Sequence, residues 1–176
     1  MKYTNAYPKY QFRRITDITV EDLRKMGARA VAVDLDNTTV IDSSYKLPDE
    51  TKNWIETIRN SGIKVIIISN TLYTRAWYLG KKMGDVPFIA PALKPHTMAI
   101  RKAAKMLDVE LENLAMIGDQ LFTDIISANK AGAISVRVEP MEKEKLFSGH
   151  FKKVRARERE YMKQHRYESK KGKCTV

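Results

Sequence analysis

Ala30-Val31-Ala32-Val33-Asp34-Leu35-Asp36-Asn37-Thr38-Thr39-Val40 is an apolar, largely β-branched run that ends in two carboxylates. A continuous apolar run of this length reads as a strand buried on both faces, the kind found in parallel sheets. Packing gives no reason for such a strand to end in two acids. Asp34 and Asp36 are two residues apart, so on an extended backbone their side chains leave on the same side. Two carboxylates held that close repel each other unless one is protonated or a cation lies between them. A hard divalent cation is the first expectation, and Mg²⁺ suits an all-oxygen site.

Outward from this run, the chain alternates strands and helices. Met1 to Arg14 mixes four aromatic residues with four basic ones and has no acid, and it reads as a basic, aromatic arm. Thr19, answered by Asp22, caps a short helix that Gly27 stops. After the Ala30 strand, Pro48 and Asp49 open a helix with Trp54, Ile55 and Ile58 on one face, closed by Gly62. Lys64 to Ile68 is a second buried strand, ending in Ser69-Asn70-Thr71. A helix with Ala76, Trp77, Leu79 and Met83 as its apolar residues follows, then a weak strand at Val86 to Ile89 that Pro87 places at a sheet edge. Lys94-Pro95 occupies the next loop, and Thr97 can cap a helix carrying Ile100, Ala103, Ala104 and Leu107. Leu114 to Ile117 is the fourth strand and runs into Gly118-Asp119-Gln120-Leu121-Phe122-Thr123-Asp124. A helix to Ala131 and a fifth strand, Ile134 to Val138, complete the pattern. Such alternation predicts an α/β fold of three layers, α/β/α and Rossmann-like, with a parallel central sheet. The expected division is one domain over 1–148, including the N-terminal arm, and a basic C-terminal helix or tail over 149–176.

Asp34, Asp36, Ser69, Lys94, Asp119 and Asp124 all fall at or just beyond a strand's C-terminal end. Open α/β sheets bind ligands at that edge, where the strand order reverses. Taken singly, each has an ordinary explanation: a solvated turn for Asp-x-Asp, a cap for Ser69, a surface position for Lys94, a helix-dipole contact for Asp124. Taken together at one edge, they suit phosphoryl transfer. Asp34 is placed as a nucleophile and Asp36 as the acid and base. Mg²⁺ would bridge Asp34, the main chain near Asp36, and Asp119. Ser69, with Asn70 beside it, and Lys94 would hold the phosphate oxygens. Asp124 would act from behind, orienting Lys94 or a metal-bound water. His96, next to Lys94, is read as a bystander, and Trp54 and Trp77 as core residues.

Asp34-Leu35-Asp36-Asn37-Thr38, then Ser69, Lys94, and Gly118-Asp119 with Asp124, resemble the four-motif signature of the haloacid dehalogenase superfamily, in that superfamily's order. The intervals leave no room for a cap domain, so the chain resembles the capless class. Ile-Ser-Asn and Gly-Asp-Gln-Leu-Phe-Thr-Asp are similar to the class IIIA branch, which includes bacterial proteins like mitochondrial phosphatidylglycerophosphate phosphatase. The resemblance implies a Mg²⁺-dependent phosphatase with an aspartyl-phosphate intermediate, acting on phosphatidylglycerophosphate in phosphatidylglycerol synthesis. A soluble nucleotide, sugar phosphate or phosphoprotein is the alternative substrate, and a ribosome- or nucleic-acid-associated binding protein on this core is the alternative from another class. Thr39 departs from the pattern, which commonly has an apolar residue there, and is expected at the strand's flank.

Composition bears on partners. The chain has 176 residues, 43% of them hydrophobic, and a formal net charge of +11. Such a charge favours anionic partners, and the phosphorylated substrate is the first of these. Phe151 to Lys173 holds ten Lys or Arg against three Glu, or +7 of that total. With Phe151, Val154, Tyr161, Met162 and His165 near helical spacing, this segment reads as a basic helix suited to an anionic bilayer or, less well, to a nucleic-acid backbone. The one cysteine, Cys174, excludes a disulfide framework and a thiolate metal site. No signal peptide or spanning segment is read, so the expected setting is cytoplasmic, peripheral to the membrane's inner face. The oligomeric state is not legible.

Overall fold

A six-stranded, all-parallel sheet carries the molecule, in the order β1-β6-β5-β2-β3-β4. The structure is a computed structural model describing residues 5–141 and 149–169. Its elements are β1 (Tyr10–Phe12), α1 (Val20–Lys25), β2 (Ala30–Val33), α2 (Asp49–Asn60), β3 (Lys64–Ile68), α3 (Tyr73–Lys82), β4 (Phe88–Ile89), α4 (Met98–Leu107), β5 (Leu114–Gly118), α5 (Ile126–Ala131), β6 (Ile134–Val138) and α6 (Gly149–Ser169). The chain divides into two units, Met1–Met141 and Glu142–Val176.

The period-2 alternation of side chains along each central strand builds the three layers. Val31 and Val33 of β2, Val65 and Ile67 of β3, and Ala115 and Ile117 of β5 join one core with Leu23 of α1, Trp54, Ile55 and Ile58 of α2, and Leu79 of α3. The residues between them, Ala30 and Ala32, Ile66 and Ile68, Leu114 and Met116, join a second core with Ile100, Ala103 and Leu107 of α4 and Ala128 of α5. Each fully buried isoleucine or leucine contributes roughly 1.5–3 kcal/mol, so both faces need their helices. Alanine at 30, 32, 103, 104 and 128 lets α4 and α5 lie close to the sheet.

Local signals set the helix ends. At α1, the Thr19 hydroxyl accepts from the Asp22 N–H at 3.0 Å, and Asp22 accepts from the Thr19 N–H at 2.9 Å. The hydrogen bonds from Thr19 hold the Asp22 carboxyl below its usual range. Gly27, at φ +81°, ends that helix in the left-handed region.

The structure corrects four sequence readings. Part of the N-terminal arm is a strand: Tyr10, Gln11 and Phe12 pair in parallel with Val136, Arg137 and Val138, so the sheet has six strands and not five. Trp54 is buried as expected, but Trp77 is 49% exposed, because α3 buries Arg75, Ala76, Leu79 and Gly80 instead. Thr97 precedes α4, but its side chain makes no capping bond. Thr39 is fully buried and not at a flank. In the C-terminal unit, α6 pairs Arg155 with Glu158 at 2.8 Å and stacks Tyr161 on His165 at 3.9 Å. Cys174 and the Phe151 side chain lie outside the described residues. No helix among the described residues is long and apolar enough to cross a membrane.

The topology also selects a place. From β2 the chain moves outward to β3 and β4, then crosses back to β5 and β6 on the other side. The strand order therefore reverses between β2 and β5, and the crevice beyond their C-terminal ends is where such a sheet binds ligands.

Candidate active site

Asp34 and Asp119 follow the two strands that flank the reversal. The Asp34 N–H still donates to Ile117 at 3.0 Å, which ties the end of β2 to β5. Beyond it the chain turns sharply: the N–H groups of Thr38, Thr39 and Val40 all reach the Leu35 carbonyl, and Asn37 takes φ +59°. Asparagine tolerates that conformation better than most residues. The Thr39 hydroxyl donates to the Asp34 carbonyl at 3.0 Å, so this residue braces the loop from beneath.

Lys94 is the hub of the cluster. Its ammonium lies 2.7 Å from Asp34 Oδ1 and 2.6 Å from Asp124 Oδ1, and donates to the Ile68 carbonyl at 2.9 Å. Asn70 fixes the loop that delivers it, accepting from the Lys94 N–H at 2.8 Å and donating to the Lys94 carbonyl at 3.1 Å. The Asn70 carboxamide is thereby spent on main chain, leaving its backbone as the part that can meet a phosphate. Ser69 is buried at the end of β3, and its hydroxyl accepts from the Thr71 N–H at 3.4 Å. Among the described residues no hydrogen bond joins that hydroxyl to the cluster. His96 is exposed.

Asp124 enters from a turn of π-helix, Leu121–Ile125, that opens α5. Its Oδ2 accepts from the Gln120 N–H at 3.1 Å, and carboxylate oxygens of Asp34, Asp119 and Asp124 lie within 4.8 Å of one another, all buried. Gly118 makes this approach possible, since a β-carbon there would lie 2.6 Å from the Asp124 β-carbon. Gly118→Ala should therefore displace Asp124 and with it Lys94. The expected loss in kcat is on the order of 10²-fold, the usual consequence of ångström-scale misplacement, checked by steady-state kinetics on a variant that circular dichroism shows to be folded.

The sequence placed the Asp36 carboxylate beside Asp34 as acid and base, with the main chain near Asp36 facing the metal. Here the carboxylate is held elsewhere, and Asp124 is the third carboxylate of the cluster. Arg75 of α3 grips both Asp36 oxygens, at 2.9 and 2.8 Å, and the Ser43 N–H donates to Oδ1 at 2.8 Å. Arg75 also donates to the Ser44 carbonyl at 2.8 Å and to the Thr71 hydroxyl at 3.0 Å, and lies over the Tyr45 ring. Sequence reading missed it, although an arginine on the buried stripe of an amphipathic helix is a signal, since such a charge needs a partner. Arg75 acts on Asp36 as a positioning residue. Arg75→Ala should lower kcat about 10- to 100-fold with little change in KM and alter the pH profile, and Lys should rescue poorly because it lacks the planar fork.

Among the described residues, the Lys94 ammonium is shared between Asp34 and Asp124. Burial pushes the Asp34 carboxyl up; Lys94 draws it back, Asp124 and Asp36 raise it again, and it settles at about 6. For Lys94, burial alone would lower the ammonium, but Asp124 and Asp34 outweigh it and hold the group above its ordinary value.

The sequence matches the haloacid dehalogenase-like hydrolases over residues 4–132. The chain belongs to that family. It is 33% identical over 132 residues to the probable phosphatase YqeG of Bacillus subtilis, covering 73% of this chain and 74% of that one. It is 32% identical over 126 residues to the mitochondrial phosphatidylglycerophosphatase GEP4 of Saccharomyces cerevisiae, covering 61% and 65% of the two. Among solved structures, the 3-deoxy-D-manno-octulosonate 8-phosphate phosphatase of Moraxella catarrhalis shares the fold at a TM-score of 0.53 and 20% identity, over 70% of this chain and 73% of that one, and was crystallised with magnesium and phosphate. This haloacid dehalogenase-type enzyme is a phosphatase, a phosphomonoester hydrolase, and its buried acidic cluster occupies the ligand edge of the sheet.

Proposed function

We propose that this phosphatase is Mg²⁺-dependent, uses Asp34 as its nucleophile and takes its phosphate from phosphatidylglycerophosphate. The observation that carries the mechanism is the buried cluster of Asp34, Asp119 and Asp124 around Lys94, with Asp36 two residues beyond the nucleophile. Three buried carboxylates with all-oxygen donors and one ammonium fit a hard divalent cation. Asp34 and Asp119 would hold it, with Asp124 beside them. Bound there, Mg²⁺ supplies charge neutralisation as an anionic nucleophile meets an anionic phosphate.

The chain's own residues do the rest. Lys94 holds Asp34 by one oxygen and offers positive charge to the phosphate. An Asp34 oxygen attacks phosphorus, the bond from phosphorus to the leaving oxygen breaks, and Asp36 gives that oxygen a proton. Asp36 then takes a proton from water, which attacks the phosphorus of the aspartyl-phosphate, and the Asp34 oxygen departs with inorganic phosphate released. Asp36 accepts two bonds on Oδ1 and one on Oδ2 from Arg75 and Ser43, which leaves a lone pair on Oδ2 to carry the proton. Ser69 and the Asn70 backbone complete the phosphate cradle.

The lipid substrate is supported by the likeness to the yeast phosphatidylglycerophosphatase and, among the described residues, by the lack of a domain inserted between β2 and β5. The test is phosphate release from phosphatidylglycerophosphate in mixed micelles beside an aryl phosphate, with Mg²⁺ and with chelator. Preference for the lipid, lost on chelation, is expected. Turnover of the aryl phosphate alone would remove the lipid and point to a soluble phosphomonoester.

A further inference from the structure

Among the described residues, the five most exposed large apolar side chains are Met98 (78%), Leu72 (74%), Leu93 (66%), Tyr73 (60%) and Tyr45 (51%). All five sit at the C-terminal edge of the sheet. Tyr45 is in the loop after β2, Leu72 and Tyr73 follow β3 at the start of α3, and Leu93 and Met98 bracket Lys94 between β4 and α4. These loops are tied together. Ala92 donates to the Ser69 carbonyl at 2.9 Å, and Asn70 pairs with the Lys94 main chain, so Leu72 and Leu93 belong to one rim. Leu93 adopts φ +53°, a conformation unfavourable for leucine, so this loop turns an apolar side chain into water at a local conformational cost. Contiguous exposed apolar surface around a site marks an interaction surface.

We propose that this rim seats the enzyme on an anionic lipid bilayer, with the crevice facing the membrane. The inference rests on the lipid-substrate reading for its orientation, since a headgroup phosphate must be delivered to Asp34 from the bilayer side. Charge complementarity selects a membrane over an apolar protein partner. Beside Tyr45, Lys82 lies 4.8 Å from the Tyr78 ring and within 3.5 Å of the Tyr45 carbonyl, and Lys46 follows in sequence. Aromatic residues backed by lysines suit the headgroup level, where the ring enters and the ammonium meets lipid phosphate.

The test is flotation of the full chain with vesicles of phosphatidylglycerol and phosphatidylcholine at physiological salt. A variant carrying Leu72→Ser, Leu93→Asn and Met98→Gln is compared with wild type, and asparagine suits the left-handed backbone at 93. Its partitioning should fall by about tenfold or more, while aryl phosphate turnover stays within about twofold and the melting temperature is unchanged. Equal partitioning of variant and wild type, or none by wild type, overturns the proposal. So does loss of binding only when Lys152, Lys153 and Arg157 of α6 are changed to glutamine. Sedimentation showing that the rim variant turns a dimer into a monomer overturns it in favour of a second copy. The two readings fail separately. Rim-dependent flotation without cleavage of phosphatidylglycerophosphate in micelles supports docking and removes that substrate; cleavage on vesicles at the same rate by variant and wild type retains the substrate and removes docking.

Discussion

Asp34→Asn is expected to reduce phosphate release by on the order of 10⁴-fold or more, as loss of a covalent nucleophile does, without unfolding the protein. The stability side follows from the raised carboxyl. Asp34 titrates at about 6 against an ordinary 3.8, so the native state holds a proton that the unfolded chain has released between those values. Its favourable contribution is therefore complete below 3.8 and is lost as pH rises through 6. Once ionised without a metal, Asp34 weighs against the fold by on the order of 3 kcal/mol, partly offset in the variant by the lost bond to Lys94. The metal-free Asn variant should thus melt at or above the wild-type temperature at pH 8, and this advantage should shrink toward pH 4. Thermal denaturation across that range, with chelator, checks it. A variant much less stable than wild type at pH 8 would contradict the charge-crowded cluster.

Lys94→Met carries the largest effect on the fold. Removing the ammonium takes from the buried Asp34 and Asp124 the cation with which each pairs, and breaking a buried pair in this way typically costs about 3–5 kcal/mol. Asp34 then loses the interaction that draws its pKa down and should titrate higher still. The variant's deficit should consequently be greatest at pH 8 and smallest near pH 5, where Asp34 can take up a proton. Added Mg²⁺ should restore part of the melting temperature, because a ligand that binds only the folded state stabilises it. A packing defect would show neither dependence. Activity should fall on the order of 10²- to 10³-fold, and arginine should not substitute, since Lys94 reaches Asp34, Asp124 and the Ile68 carbonyl as a compact point charge.

The central sheet was legible because its strands are continuous apolar runs whose alternate residues feed two cores, a pattern that local sequence carries completely. The edge strand β1 was not. Tyr10, Gln11 and Phe12 are three residues in a basic arm, and their pairing with β6 is a backbone match to residues 126 positions away. The positions of Asp34, Asp119 and Lys94 at one edge followed from where their strands end. What the residue types could not convey was the partition of the acids. Asp36 is drawn off by Arg75, a residue that apolar periodicity passes over, and Asp124 enters the cluster through a π-helical turn and the missing side chain of Gly118. Trp77 was misplaced for a related reason: Arg75 and Gly80 take the buried positions on α3, which rotates the tryptophan outward.

The most direct measurement is borohydride trapping of the aspartyl-phosphate, using Asp36→Asn with an aryl phosphate and Mg²⁺. The aryl leaving group needs no proton from Asp36, so the first step should proceed, while the water attack that depends on Asp36 stalls and the intermediate accumulates. Reduction should convert residue 34 to homoserine, read by peptide mass spectrometry, and only when substrate and Mg²⁺ are both present. A trapped group at another residue, or an unmodified Asp34 in a preparation that releases a burst of the aryl alcohol, would contradict the account.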